Sequence, residues 1–425
     1  MLRKIFALSI IVILVCSFLF SVSVSSVSAD SGASQIYFGA FVGPSHKDSL
    51  VQLQSFEATV GKGVAIWNWF QYWNRPADSE NDPNFNVTWM DECRVHGSIP
   101  MITWDPGDGG SSTEYPNLSN IINGDMDSYI TTWAQDAKAW GHPFFIRLMH
   151  EFTGGWTPYY EGVNGNAQGQ FVQAWQHIVN IFRNVGANNV SWVWEPANTR
   201  DSIVTLTKYY PGNSYVDWTA TDYYSDGSSS FTQGLSGEYN AIESVAPNKP
   251  FMLTEFGCTG SNLANWFNGV FSQIPTNFPN LKGLIVWEDT TDSTSIGVET
   301  ATGSLSAFKQ GIASNLYTSN VYGSLDTSPI AALGGVQNIL STSPKTLTQP
   351  TGYPIVPPLT RASTKKLPTV SSSSALELSI GLASVLAVGI IVFLIFVSKK
   401  PRRIRHQPLK RVKPKIHYSF FVVFR

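Results

Sequence analysis

PFFIRLMHEFTGGWTPYYEGVNGNAQGQFVQAWQHIVNIFRNVGANNVSWVWEPA, residues 143–197, holds one complete strand–helix–strand unit. An apolar run over 143–151 carries Arg147 and ends in His150 and Glu151. A helical pattern follows over 170–185, and Gly186 stands where a helix C-terminus favours glycine. A second apolar run, 190–197, closes the unit. Strand, helix and strand in this order predict parallel strands joined by a crossover.

The same alternation extends in both directions. Further strand-like runs fall at 36–43, 63–70, 98–104, 216–224, 250–257 and 282–289, and a second helical pattern at 126–140 is closed by Gly141. Eight near-continuous apolar strands with helices between them predict a parallel sheet covered by helices. Eight units in one domain favour a closed (β/α)8 TIM barrel over an open doubly wound sheet. No GxGxxG or phosphate loop follows any strand, so no nucleotide cofactor is expected, nor is a metal.

This body does not account for all 425 residues. Residues 1–29 pair Arg3 and Lys4 with an apolar stretch ending Val27-Ser28-Ala29, the layout of a signal peptide or, uncleaved, of an N-terminal anchor. The barrel is expected over 30–315. From 316 to 376 the chain turns rich in Ser, Thr and Pro, with seven prolines between Pro329 and Pro368, which predicts an extended linker or stalk. Residues 377–398 contain LSIGLASVLAVGIIVFLIFV, twenty residues without a charge, enough for roughly 30 Å of bilayer core. The tail, 399–425, holds ten Lys/Arg and no acid. The positive-inside rule places such a tail in the cytoplasm and the body outside, so the expected location is the cell surface.

Composition narrows the classes further. The formal net charge of −2 conceals a body, 30–398, with 16 basic and 30 acidic residues, a net of −14. A nucleic-acid partner is therefore not expected. Three Cys exclude a disulfide scaffold, and Cys93 and Cys258 are expected as free thiols. Asn86, Asn117 and Asn189 head N-x-S/T sequons. The 13% aromatic content includes 14 Trp, more than an ordinary core needs, and predicts indoles lining a surface that grips ring-shaped ligands.

In a barrel of this kind chemistry sits at the C-terminal ends of the strands. Those ends carry Trp104-Asp105, Arg147 with His150-Glu151, Trp194-Glu195, Asp222 with Tyr224, Glu255, and Trp287-Glu288-Asp289. Carboxylates and aromatics at one mouth are the composition of a sugar cleft. Glycosidic cleavage needs one carboxyl to protonate the leaving oxygen and a second to attack the anomeric carbon or activate water. Glu151 and Glu255 fit this pair, and a retaining enzyme would hold them roughly 5–5.5 Å apart. Glu195, Glu288, Asp222 and Asp289 are the rivals.

FIRLMHEFTGGWTPY followed by FVQAWQHIVNIFRNVGANNVSWVWEPAN resembles glycoside hydrolase family 26, as do YVDWTATDYY, PFMLTEF and LKGLIVWED. The resemblance covers roughly 36–314. It implies a (β/α)8 retaining endo-β-glycanase with Glu151 as acid/base and Glu255 as nucleophile. His150, Arg147, Trp156, Asp222, Tyr224 and Trp287 match substrate-site positions of the family, and Trp104 at the third strand end joins them as a candidate. Within the family β-mannan is the first substrate expectation. Mixed-linkage β-1,3-1,4-glucan is the alternative, since SIPMITWDP looks closer to the glucanase branch. Glu195 stands where the family pattern leads us to expect no acid. A non-catalytic carbohydrate-binding protein on the same barrel is the rival class. Polysaccharide and membrane are the expected partners of a monomer.

Overall fold

Each of the eight apolar runs forms a strand, and all eight pair in parallel. In the computed structural model the described residues are 35–43, 49–75, 77, 81–107, 116–288, 296–325 and 328–334. The expected signal segment, the apolar span at 377–398, the basic tail and most of the stalk lie outside them. No helix among the described residues is long and apolar enough to cross a membrane.

The strands are β1 (Ile36–Phe41), β2 (Ile66–Tyr72), β3 (Ile99–Asp105), β4 (Phe144–Leu148), β5 (Val190–Trp194), β6 (Trp218–Ser225), β7 (Phe251–Cys258) and β8 (Leu281–Trp287). They follow one another around the sheet, and β1 pairs with both β8 and β2, which closes the barrel. The helices between them are α1 (Ser49–Val60), α2 (Val87–His96), α3 (Leu118–Ile122), α4 (Asp127–Trp140), α5 (Gln170–Val185), α6 (Ile203–Tyr209), α7 (Phe231–Val245) and α8 (Leu263–Asn277); α9 (Ser304–Ile312) follows β8.

Strand alternation divides the core in two. Outward residues such as Phe38, Ile102, Ile146, Trp192 and Leu253 pack under the helices. Inward residues Tyr37, Ile66, Met101, Phe145, Val193, Trp218, Met252 and Ile285 fill the barrel.

The expected boundary at 315 falls inside the packed body. Residues 316–325 run on as a short strand, β9 (Tyr317–Thr318), beside β1 and a 3-10 turn (Tyr322–Ser324), and residues 328–334 form a strap across the barrel floor. Trp218 Nε1 donates to the Ile330 carbonyl at 2.8 Å, and Tyr37 Oη to that of Ala331 at 2.9 Å. The Ile330 amide donates to Ser191 Oγ at 2.7 Å. A handful of apolar residues spaced through a polar stretch suffices here, because the barrel supplies the rest of the packing.

The aromatic excess is mainly core. Ten of the 14 Trp are buried, and Trp89 and Trp140 pack partly buried against them. Trp156 and Trp287 are the two indoles left less buried, so most of the excess went to packing and not to a surface. The three sequon asparagines have structural partners. Asn86 and Asn117 cap α2 and α3, and Asn189 Nδ2 donates to the Ala137 and His142 carbonyls. Cys93 and Cys258 are free and buried.

Candidate active site

Inward positions change character along the barrel axis. Phe145 gives way to Arg147 on β4, Met101 to Thr103 and Asp105 on β3, Val193 to Glu195 after β5, and Ala220 to Asp222 and Tyr224 on β6. On β7 strict alternation would put Met252 and Glu255 on opposite faces. The register breaks there: Thr221 pairs with Leu253 but Asp222 pairs with Glu255, leaving Thr254 as an extra residue. This bulge turns Glu255 into the barrel, a use of bulges seen beside active sites. Thr254 also stays inside and donates to Asp222 Oδ1 at 2.8 Å.

Arg147 is the hub. Its Nη1 donates to Glu255 Oε1 at 2.6 Å, its Nη2 to Asp222 Oδ2 at 2.5 Å and its Nε to Glu195 Oε2 at 3.0 Å. The other Glu255 oxygen accepts from Tyr224 Oη at 2.6 Å. Glu255 is thus oriented through both oxygens. Burial alone would lower the Arg147 pKa; the carboxylates of Asp222, Glu195 and Glu255 outweigh it and hold the guanidinium charged. Burial pushes Asp222 up, and it pushes Glu195 up to about 7 against the pull of Arg147. One cation facing three buried carboxylates favours keeping a proton within the set.

Glu151 comes from the turn after β4. Met149 and Glu151 hold positive φ, 49° and 51°. Such left-handed backbone costs on the order of 1–3 kcal/mol at a residue with a side chain. Side chains and strand ends secure it. The Met149 amide donates to the Trp104 carbonyl, the His150 amide to Asp105 Oδ1 and the Glu151 amide to Glu195 Oε2. Tyr159 Oη donates to the His150 carbonyl at 2.6 Å. The Glu151 carboxylate accepts from Trp156 Nε1 at 2.7 Å. Gly154 makes that contact possible, because a Cβ there would lie 2.4 Å from the Trp156 ring.

Burial pushes the Glu151 carboxyl above its ordinary range, and the Glu255 charge adds to the rise, while His150, Arg147 and the Trp156 bond oppose it. Burial would lower His150. The charge of Asp105 and its 2.5 Å bond to Nδ1 outweigh that and hold the imidazole up to about 9. The mouth therefore presents a carboxylic acid able to keep its proton beside a carboxylate held by two donors. That is the division of labour glycosyl transfer requires.

Trp287 stacks on Phe41 at 4.0 Å and meets Tyr224 edge-on at 6.3 Å, and Phe70 meets His150 edge-on at 5.2 Å. Trp156 is 55% exposed beside Glu151. These rings leave an apolar floor and one free indole face.

Three sequence expectations need correction. Trp104 is fully buried among Trp73, Tyr129 and Trp133, because alternation turns it toward the helices while Thr103 and Asp105 face inward. Arg147 and Asp222 are buried, Arg147 holding Glu255 directly and Asp222 reaching it only through Arg147. Among the rivals, Glu288 Oε2 accepts the Val298 amide at 2.8 Å and ties down the chain after β8, while Asp289 lies outside the described residues. Asp105 and Tyr159, the partners of His150, were not singled out. Asp105 carried a signal as a strand end, whereas Tyr159 sits in a loop without one. Among the described residues no group of three His, Cys, Asp or Glu is arranged to hold a metal ion.

A closed (β/α)8 barrel with paired glutamates from β4 and β7 at its mouth defines the class of barrel glycosidase-type proteins. Within it, residues 108–289 fall in glycoside hydrolase family 26, whose sequence profile, Glycosyl hydrolase family 26, they match. The chain is 33% identical over 294 residues to endoglucanase H of Acetivibrio thermocellus, covering 66% of this chain and 30% of that protein. It is 25% identical over 283 residues to a mannan endo-1,4-β-mannosidase of Bacillus subtilis strain 168, covering 60% and 75%. The catalytic domain of a family 26 endo-β-1,4-mannanase from Bacillus sp. JAMB-750 superposes with a TM-score of 0.56 at 18% identity, covering 69% of this chain and 91% of that one. This last likeness shows the fold. The chain thus spans under a third of the length of endoglucanase H.

Proposed function

We propose that the chain is a retaining endo-β-glycanase that hydrolyses β-1,4-linked polysaccharide by double displacement. The carrying observation is the contrast between its two glutamates. Glu255 is fixed by Arg147 and Tyr224 through both oxygens, and burial raises Glu151 toward the protonated form. Glu151 gives its proton to the glycosidic oxygen as Glu255 attacks the anomeric carbon. Glycosylation removes the Glu255 charge and with it one cause of the raised Glu151 pKa. Glu151 is then fit to take a proton from the water that releases Glu255. Trp156 and Trp287 offer their faces to the pyranose rings.

Two backbones suit this cleft. β-Mannan is supported by the Bacillus subtilis relative. β-Glucan is supported by endoglucanase H, which is similar at higher identity over a longer stretch, and by the absence of a histidine in SIPMITWDP. The same proposal puts the barrel at the cell surface, exported by residues 1–29 and anchored by 377–398 with the basic tail inside.

The test incubates the full-length protein with mannan, glucomannan, mixed-linkage glucan and xylan, and follows new reducing ends by NMR. The expected product is the β anomer, released from within the polymer. An α anomer formed first would exclude double displacement. No release from any polymer would leave the carbohydrate-binding alternative.

A further inference from the structure

Glu195 is fully buried, and its bonds run to Arg147 and Glu151. One oxygen makes both: Oε2 accepts the Glu151 amide at 2.8 Å and Arg147 Nε at 3.0 Å. The other, Oε1, is shut off from solvent with no hydrogen-bond partner among the described residues. A buried carboxylate oxygen left without a donor is uncommon and calls for an explanation.

The geometry around Oε2 supplies one. The Glu151 amide lies in the turn after β4, outside any ladder or helix, so an acceptor inside the barrel has to meet it. Glu195 is that acceptor. The same oxygen holds the guanidinium whose Nη1 grips Glu255. Oε2 is therefore the joint between the peptide that carries one glutamate and the cation that holds the other.

We propose that Glu195 is a positioning residue: through one oxygen it fixes the acid/base Glu151 relative to the nucleophile Glu255. The assignment rests on the roles given to those two glutamates above. The role needs an acceptor at Oε2 and no acceptor at Oε1. Nothing donates to Oε1, so a proton or an amide NH2 can stand there without displacing a partner. A glutamine fits these demands and an alanine does not.

The test compares wild type, Glu195→Gln and Glu195→Ala as full-length proteins. One substrate is the polymer the wild type cleaves. The other is a dinitrophenyl β-glycoside of the same sugar, assayed with and without azide. In Glu195→Ala, kcat on the polymer should fall about 10²-fold, the lower range for losing general acid catalysis, with KM within about twofold. The burst of dinitrophenolate should slow less than about tenfold, because that leaving group departs with little protonation. Azide should speed turnover: it attacks the anomeric carbon, breaks the bond to Glu255 without needing a base and leaves as the β-glycosyl azide. Glu195→Gln should recover at least about tenfold of the polymer loss.

Equal losses on both substrates without an azide effect would overturn the proposal, since Glu195 would then act through Glu255 or on folding. Unchanged kcat in Glu195→Ala would overturn it too. So would a Gln variant as poor as Ala, which would mean that the charge and not the acceptor matters. Should Glu195→Ala fail to fold, Glu195→Met keeps the bulk, removes both acceptors and carries the same comparison. A wild type inactive on every substrate would instead overturn the hydrolase reading and leave nothing for Glu195 to position.

Discussion

At the floor of the barrel Tyr37, Trp218 and Tyr322 are buried, and each donates to a carbonyl: Ala331, Ile330 and Pro143. At the mouth, about the length of a strand away, one arginine faces three carboxylates, two residues hold left-handed backbone, a strand is bulged and a buried oxygen has no donor. The three ring donors at the floor all find partners, although Tyr317 Oη and Ser328 Oγ nearby do not, whereas the mouth gathers charge, left-handed backbone and an orphaned carboxylate oxygen. The difference separates the parts that hold the barrel closed from the parts kept strained and charged for chemistry. Substitutions at the two ends should therefore fail in different assays.

The largest effect expected is at Glu255. Glu255→Ala removes the attacking atom, and kcat on any substrate should fall by more than about 10⁴-fold, with oligosaccharide binding near wild type by calorimetry. Residual turnover within about 10²-fold would move the nucleophile elsewhere. Glu151→Ala comes next, with a loss of about 10²–10⁴-fold on polymer and a much smaller one on an activated aryl glycoside. A loss independent of the leaving group would break the acid/base assignment. At the floor, Trp218→Phe leaves the Ile330 carbonyl without its donor and should cost about 1–3 kcal/mol of stability. Thermal melting should fall by several degrees with kcat unchanged. If kcat falls in step, the two ends are coupled and the comparison fails.

The smallest effect is a shift in a pH profile. Asp105 holds His150 charged, and that charge pulls Glu151 down. Asp105→Asn should let His150 lose its proton near neutrality, so Glu151 rises. Cleavage needs Glu151 protonated, so the alkaline limb of kcat/KM should move to higher pH. A move to lower pH would contradict the arrangement. His150 also links pH to folding. Its folded pKa of about 9 lies above the ordinary 6.5, so its stabilisation is complete below pH 6.5 and lost as the pH rises through 9.

The eight strands were legible because each buried run is apolar and β-rich. Their ends were less so. The fourth run, expected to 151, stops at Leu148 because Met149 turns left-handed, a backbone choice no residue type announces. Glu151 and Glu255 were legible as carboxylates closing apolar runs. The β7 bulge was not, since Thr254-Glu255-Phe256 reads as plain alternation and the extra residue emerges only in pairing with β6. Tryptophan misled for a related reason. Its size marks burial and its ring marks sugar binding, and only position decides, as Trp104 and Trp156 illustrate. The strap was hidden because its partners, Tyr37 and Trp218, stand nearly 300 and over 100 residues away.

The strap also decides how the molecule bears force. A pull applied beyond Gly334 would reach Ala331 and Ile330 first, then Tyr322 and β9, before it loaded β1. The strap is thus the first part of the barrel to meet tension from that side. Through the Pro143 carbonyl, Ser191 and Trp218 it would pass that load to the starts of β4, β5 and β6, at the end of the barrel away from Glu151 and Glu255.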